Sequence, residues 1–270
     1  MKVKHIFIYP IKSLAGISLS ASETVVRGLT YDRRYMLVDE EGLFISQRTF
    51  PPLALFKTGI ANGELLVTDT RTGSEIILPL QKEEGQKSMV KIWSDECEGV
   101  LVNEEADRFF SIALGKKCRL VYMPEQTHRP VNPKYAENGE VSSFADDYPL
   151  LIIGSASLED LNRRLQDKNE APLWWDRFRP NIVIETTVPY EEDEWKEFRI
   201  GNNLFRGASL CGRCVMTTID QQTGVAGKEP LKTLAGYRTF ENKVMFGKNV
   251  IAVDYSDLIR LGDVVELEAK

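Results

Sequence analysis

Histidine is nearly missing from this sequence and cysteine is sparse: two of the first and four of the second in 270 residues. His5, His128, Cys97 and Cys118 form no second cluster beside Cys211 and Cys214. A tetrahedral zinc site usually draws its four ligands from two paired clusters, so that class of metal is disfavoured. Four cysteines in a chain of this length also make no disulfide scaffold. No apolar run approaches the ~20 residues that a membrane span requires. The opening Met1–Pro10 has too short an apolar stretch for a secretory signal, and it lacks a small-residue cleavage site. It reads as a first strand, and a reducing cytoplasm is the expected setting.

Basic residues are outnumbered. The 34 Lys and Arg face 40 Asp and Glu, for a formal charge of −6. A general nucleic-acid surface needs a basic face, so that function is excluded. Local cationic pockets remain compatible with such a charge. Internal repeats, low-complexity tracts and glycine-rich phosphate loops of the P-loop or dinucleotide-binding kind are absent. Hydrophobic residues make up 43% and charged residues 27%, which is ordinary globular composition. The length suits one large domain or two modest ones.

What is present concentrates in Leu210–Gly224, Leu-Cys-Gly-Arg-Cys-Val-Met-Thr-Thr-Ile-Asp-Gln-Gln-Thr-Gly. Two thiols stand three positions apart with a cation between them. Both cysteines can be core residues, since free cysteine is among the most buried types. They can form a thiol–disulfide couple, which wants the first cysteine at a helix N-terminus. The β-branched Val215, Thr217, Thr218 and Ile219 predict a strand instead. A zinc site lacks its remaining ligands. The fourth reading is one cysteine ligating a soft metal carried by an organic cofactor, a role that suits a thiolate. Arg213 beside it favours the thiolate and can hold an anionic cofactor tail.

Elsewhere, Val3–Tyr9 is strand-like and stops at Pro10. Lys12 and Ser13 follow in a turn that either binds an anion or is simply solvated. Tyr35–Val38 reads as a strand, Glu40-Glu41-Gly42 as a turn and Leu43–Arg48 as the return, so Arg34 and Arg48 flank one hairpin. Glu64–Thr68 and Ser74–Leu78 form another. Asn103 caps a helix in which Ala106, Phe109, Phe110 and Ala113 recur at helical spacing, ending at Gly115. Cys118–Met123 is a strand. Pro124–Asp147 is the loosest stretch, a connection or a flap over a site, and His128 within it has no assigned role. Tyr148–Ile153 is a buried strand, and Ser157 with Asp160 makes a capping box for the next helix. Phe178-Arg179-Pro180-Asn181 holds an arginine and an asparagine at a strand entrance as a polar clamp. Trp174 and Trp175 either wall a pocket or join the core. The last strands fall around Val250–Val253 and Val264–Leu267.

Taken in order, six segments resemble the MOSC-domain proteins. They are Tyr9-Pro10-Ile11-Lys12-Ser13, Asp32-Arg33-Arg34, Phe178-Arg179-Pro180-Asn181, Cys211 through Asp220, Glu229-Pro230-Leu231 and Tyr237-Arg238. The branch they resemble is that of the mitochondrial amidoxime-reducing component and its bacterial relatives. The resemblance covers nearly the whole chain. It implies a MOSC-associated β-rich domain over 1–123 and a MOSC domain over 124–270. The expected fold is mainly β with several helices (α+β), two packed β-rich halves, the C-terminal one a MOSC-type β-barrel.

The same resemblance implies a molybdenum–molybdopterin cofactor (Moco) ligated by Cys214. Lys12, Ser13, Arg34, Arg179, Asn181, Gly212 and Arg213 are then expected on the pterin and its phosphate. Forked guanidinium groups and lysine suit that task. Asp220 is a candidate for proton supply or a structural cap, and Cys211 is not a ligand. Asp147 and Tyr148 stand where the family has small hydroxyl residues. The implied activity is reduction of N-hydroxylated compounds: amidoximes, hydroxamic acids or N-hydroxylated bases. If the chain is a reductase, electrons are expected from a separate flavin, haem or iron–sulfur protein, since Lys270 is reached without the C-terminal ferredoxin-like domain that some bacterial relatives carry. Neither nucleic acid nor a membrane span enters this reading. Two alternatives stand beside it. One is a Moco carrier or sulfur-transfer module with a persulfide on Cys211; the other is a metal-free thiol–disulfide protein.

Overall fold

Alternation builds the first strand. In Lys2–Ile8, Val3, Ile6 and Ile8 are buried while Lys2 and Lys4 face out. This strand does not stay with the N-terminal half. It pairs antiparallel with Ile182–Glu185, setting Val3 opposite Ile184 and Ile6 opposite Ile182. The computed structural model describes residues 1–255 and 257–268, and strands dominate it, with three α-helices among the described residues.

The largest sheet has nine strands. In spatial order it runs Val265–Leu267, Glu197–Ile200, Asn203–Gly212, Lys243–Ala252, Leu150–Gly154, Ile182–Glu185, Lys2–Ile8 and Ile17–Leu19, with Thr239–Phe240 paired to Lys243–Ala252. The sheet curls until its first strand in space, Val265–Leu267, comes up to Lys2–Ile8, the last but one. Lys2 bridges Val264, while the amides of Val3 and Val265 donate to the carbonyls of Asp263 and Met1, both at 2.9 Å. Ile6, Ile8, Ile152, Ile184, Phe198, Phe205 and Val250 fill the interior as one cluster. The expected barrel-like form is present, with a stave contributed by the N-terminal strand.

The N-terminal half stacks two smaller sheets. Tyr35–Val38, Arg119–Tyr122, Asp95–Leu101 and Lys87–Ile92 form one; Phe56–Ala61, Glu64–Asp69 and Ser74–Pro79 form the other. Helix α1 (Glu104–Leu114) buries Ala106, Phe110 and Leu114 in the same cluster as Leu37, Phe56, Leu65 and Tyr122. Its ends follow the sequence. The Asn103 side chain accepts from the Ala106 amide at 2.8 Å, and Gly115 closes the helix in a left-handed conformation.

Helix α2 (Ser155–Gln166) departs from the sequence reading. It starts at Ser155 behind Gly154, so Ser157 lies inside it and caps nothing. The Ser157 hydroxyl donates to the buried Glu192 carboxylate at 2.8 Å and accepts from the Tyr190 amide at 2.8 Å. Asp160 accepts from Arg164 at 2.7 Å and from the Tyr190 hydroxyl at 2.8 Å. Both side chains of the supposed capping box are taken by a neighbouring loop, and a tertiary partner overrides the local motif.

The second departure follows Cys214. Val215–Thr218 is a single 3-10 turn, not a strand. The hydroxyls of Thr217 and Thr218 donate to the carbonyls of Cys214 and Val215 at 3.0 and 2.8 Å. Those bonds offer the backbone a local alternative that β-propensity does not anticipate. Leu43–Arg48 is also no regular strand; isolated bridges from Phe44 to Val38 and from Leu43 to Lys91 mark the return.

Candidate functional site

Residues from both halves line a cavity of about 680 Å³. The strand Asn203–Gly212 delivers Cys211 and Gly212 to it, and Arg213 and Cys214 follow before the 3-10 turn. The turn after the first strand brings Lys12 and Ser13, and the approach to Ile182–Glu185 brings Arg179 and Asn181. Seven cations line the cavity (Lys12, Arg33, Arg48, Arg177, Arg179, Arg213 and Lys243) against two carboxylates, Asp146 and Asp147. A chain of net charge −6 thus keeps a strongly cationic interior pocket.

Each thiol has its own guanidinium. Arg213 Nη1 donates to Cys211 Sγ at 3.0 Å, and Arg48 Nε donates to Cys214 Sγ at 3.0 Å. The sequence places Arg213 beside Cys214, but the fold gives it to the other cysteine. Arg48 reaches on to Asp146 at 3.1 Å, and Asp146 accepts from Lys12 Nζ at 2.5 Å. Burial pushes the Asp146 carboxyl up, but the charges of Lys12 and Arg48 and the bonds from Lys12 and Trp93 overcome it. Its net position is well below the usual carboxylate range. Burial lowers Lys12 against the pull of Asp146.

Asp146 is held from behind. Arg129, almost fully buried, donates to the carbonyls of Ser143, Ala145 and Asp146 at 2.7, 2.6 and 2.8 Å and pairs with Asp95 at 2.8 Å. The loose stretch 124–147 is therefore a tied loop that presents two aspartates to the cavity.

A second group surrounds Tyr9. The guanidiniums of Arg33 and Arg179 lie 4.7 and 4.1 Å from its ring centre. Arg33 also donates to Asn181 Oδ1 at 3.0 Å, and Arg179 donates to the Leu14 carbonyl at 2.6 Å. Burial, with Arg33 adding to it, pushes Arg179 down to about 10. Ser13, Arg33 and Arg179 all have left-handed backbones, φ 70°, 51° and 57°. Such conformations cost free energy in non-glycine residues and cluster at functional sites.

Two expected site residues lie outside the cavity lining. Arg34 is buried on the far side of its turn, where it donates to the Met123 carbonyl at 3.1 Å, pairs with Glu125 and covers the Tyr122 ring. The left-handed step at Arg33 aims the two neighbouring guanidiniums apart, and Arg33 is the one that reaches the cavity. Asp220 caps its own turn: Oδ1 accepts from the amides of Gln222 and Thr223 at 3.0 and 2.9 Å and from the Thr223 hydroxyl at 2.9 Å. Burial raises the Asp220 carboxyl, but those bonds and the Arg177 charge bring it below the ordinary value, so it stays ionised. Trp174 and Trp175 do not line the cavity.

Sequence reasoning missed Arg33, Asp146 and Trp93, and it left Arg48 undecided. The only local signal was the hairpin placing Arg48 near Arg34. Helix lengths give a separate fact: among the described residues no helix is long and apolar enough to cross a membrane.

Two family descriptions match the chain, the MOSC N-terminal beta barrel domain over residues 1–117 and the MOSC domain over residues 139–266. The mouse mitochondrial amidoxime-reducing component 1 is 33% identical, over 98% of this chain and 82% of its own length. The rat mitochondrial amidoxime reducing component 2 is 34% identical, over 97% and 82%. The molybdenum cofactor sulfurase of Oryza sativa subsp. japonica is 31% identical over 95% of this chain, which spans only 33% of that relative. Two consecutive domain matches, with 33% and 34% identity to the two amidoxime-reducing components over nearly the whole chain, place it in one family: it belongs to the MOSC-domain proteins that join an N-terminal MOSC β-barrel domain to a MOSC domain.

Proposed function

We propose that this protein binds a molybdenum–pterin cofactor through Cys214 and reduces N-hydroxylated compounds with electrons from a separate electron-transfer protein. The observation that carries the reading is a thiol, Cys214, under the Arg48 guanidinium in a cavity lined by seven cations. The residues fit such a group. Buried Arg213 Nε has no hydrogen-bond partner among the described residues, and an anionic oxygen satisfies it. A thiolate suits a soft metal, and forked guanidiniums suit a phosphate. In this reading Lys12, Ser13, Arg33, Arg179 and Arg213 would hold the pterin and its phosphate, and Cys214 would hold the metal.

When bound, the cofactor supplies two-electron chemistry at a metal. The reaction consumes two electrons and two protons, turning N–OH into N–H and releasing water. Arg48 fixes the Cys214 sulfur and Asp146 fixes Arg48, so the ligand is pre-oriented before cofactor arrives. The amidoxime-reducing names of the full-length relatives support the substrate class.

The test is molybdenum and pterin content of protein from cells that make the cofactor, wild type beside Cys214→Ala, with benzamidoxime reduction measured on both. Near-stoichiometric molybdenum and turnover, both lost in the variant, are expected. Activity surviving Cys214→Ala sinks the proposal.

A second reading, a cofactor carrier or sulfur-transfer module, draws on Cys211, which also faces the cavity. Burial pushes the Cys211 thiol up more than Arg213 lowers it. A protonated thiol is a poor nucleophile for sulfur transfer, which keeps the reductase reading ahead.

A further inference from the structure

Among the aromatic residues that line the cavity, Trp93 is the most open to solvent, at 45% exposure, whereas Tyr148 and Phe178 are buried. It sits at the tip of the hairpin joining Lys87–Ile92 to Asp95–Leu101, on a left-handed backbone of φ 56°. Three contacts fix the ring. The Arg48 guanidinium lies 4.1 Å from its centre, Phe44 meets it edge-on at 4.9 Å, and Nε1 donates to Asp146 at 3.3 Å. The indole N–H helps hold Asp146 ionised, but the solvent-exposed part of the ring has no role in that charge chemistry, and the fold holds it in a costly conformation at the cavity edge. A large apolar ring left in water at the edge of a polar pocket is a platform for a ligand.

We propose that Trp93 determines specificity by stacking on planar, uncharged aromatic N-hydroxylated substrates in preference to flexible aliphatic ones. The inference rests on the reductase reading and names its substrate class. The contact chain sets the reach. Arg48 covers one face of the Trp93 ring and its Nε donates to Cys214 Sγ at 3.0 Å, so one guanidinium separates the indole from the sulfur, and a substrate ring lies against the part of the indole that Arg48 leaves open to solvent. The cavity cations that this reading leaves outside the cofactor, Arg48, Arg177 and Lys243, disfavour a cationic substrate. A rigid arene gains offset stacking with little entropy to lose, which an alkyl chain does not match.

The experiment uses cofactor-loaded, oxidised protein without an electron donor, so that binding is read apart from turnover. Calorimetric titrations with benzamidoxime and with acetohydroxamic acid are run on wild type, Trp93→Ala and Trp93→Phe, with pterin content measured on each. Trp93→Ala is expected to weaken benzamidoxime roughly threefold to tenfold, the magnitude of an aromatic pair, while acetohydroxamic acid changes less than about twofold. Trp93→Phe is expected to retain most of the binding. Turnover with a reduced dye is expected to show the loss in KM rather than kcat. Equal weakening of both ligands, or no weakening, overturns the inference and leaves the reductase reading intact. Pterin lost from Trp93→Ala also overturns it, because the indole is then a cofactor wall. Wild type that neither binds nor reduces any N-hydroxy compound overturns both.

Discussion

Arg48 Nε sits 3.0 Å from Cys214 Sγ, although 166 positions separate the two residues. The contact joins the N-terminal half to the thiol of the C-terminal half, and Asp146 locks it from a third segment. Arg48→Ala removes charge-assisted hydrogen bonds worth about 1.5–3 kcal/mol. We predict a fall in kcat/KM for benzamidoxime of roughly tenfold to a hundredfold. Arg48→Lys is expected not to rescue it, because an ammonium lacks the fork that meets sulfur and carboxylate together. Steady-state kinetics on cofactor-loaded protein decide the matter, and full activity in Arg48→Lys would falsify the positioning role.

Asp220 offers the opposite case. Its carboxylate is saturated by its own turn and lies outside the cavity lining. Asp220→Ala is expected to lower unfolding free energy by about 0.5–1.5 kcal/mol. The pH profile of N-hydroxy reduction should keep its shape. A profile that loses one limb in Asp220→Ala returns the residue to proton supply.

Acid sensitivity is expected from Asp160. Burial raises its carboxyl, but bonds from Arg164 and Tyr190 and the charges of Arg164 and Arg163 set it below the ordinary 3.8. The folded state therefore binds this proton less tightly than the unfolded state. The stability it contributes is complete above the unfolded value near 3.8 and is lost as pH falls through the lower folded value. Asp160→Asn should cost about 1–3 kcal/mol at neutral pH and flatten the decline below about pH 4. Urea unfolding at stepped pH reads both. An unchanged acid slope rules out the linkage.

Gln47 and Gln221 form a reciprocal amide pair, Nε2 to Oε1 in each direction at 3.3 and 3.0 Å, both buried. Gln47 also donates to the Ser13 carbonyl at 2.6 Å. Either Gln→Ala change leaves a buried amide without its partner and is expected to cost about 1–3 kcal/mol. The double Gln47→Ala/Gln221→Ala variant should cost clearly less than the sum of the two, since the second change removes an already orphaned group. Additive losses in a denaturation cycle refute the coupling.

Several cavity residues were legible because they travel in short motifs. Lys12 and Ser13 follow one strand, Arg179 and Asn181 precede another, and Gly212, Arg213 and Cys214 are consecutive; the structure brings all of them to one cavity. Arg48, Asp146 and Trp93 were not legible, since each comes from a hairpin or loop whose direction depends on tertiary packing. Arg34 misled because adjacency hid the left-handed step that turns Arg33, not Arg34, inward. The strand predicted after Cys214 failed for a local reason: threonine hydroxyls bond back to carbonyls three residues earlier. The helix ends at Asn103 and Gly115 were legible because capping is short-range physics.

The seam where Lys2 meets Val264 has a consequence for how the chain is made. During vectorial synthesis the first strand pairs early with Ile17–Leu19 along Ile6–Ile8, but its other edge waits for Ile182–Glu185, and its start waits for Val264 before the ring closes. Until then an apolar strand edge stays open, and an open edge templates wrong partners. Contacts this distant along the chain make for slow assembly. A nascent chain truncated before residue 260 therefore keeps the start of its earliest strand unclosed.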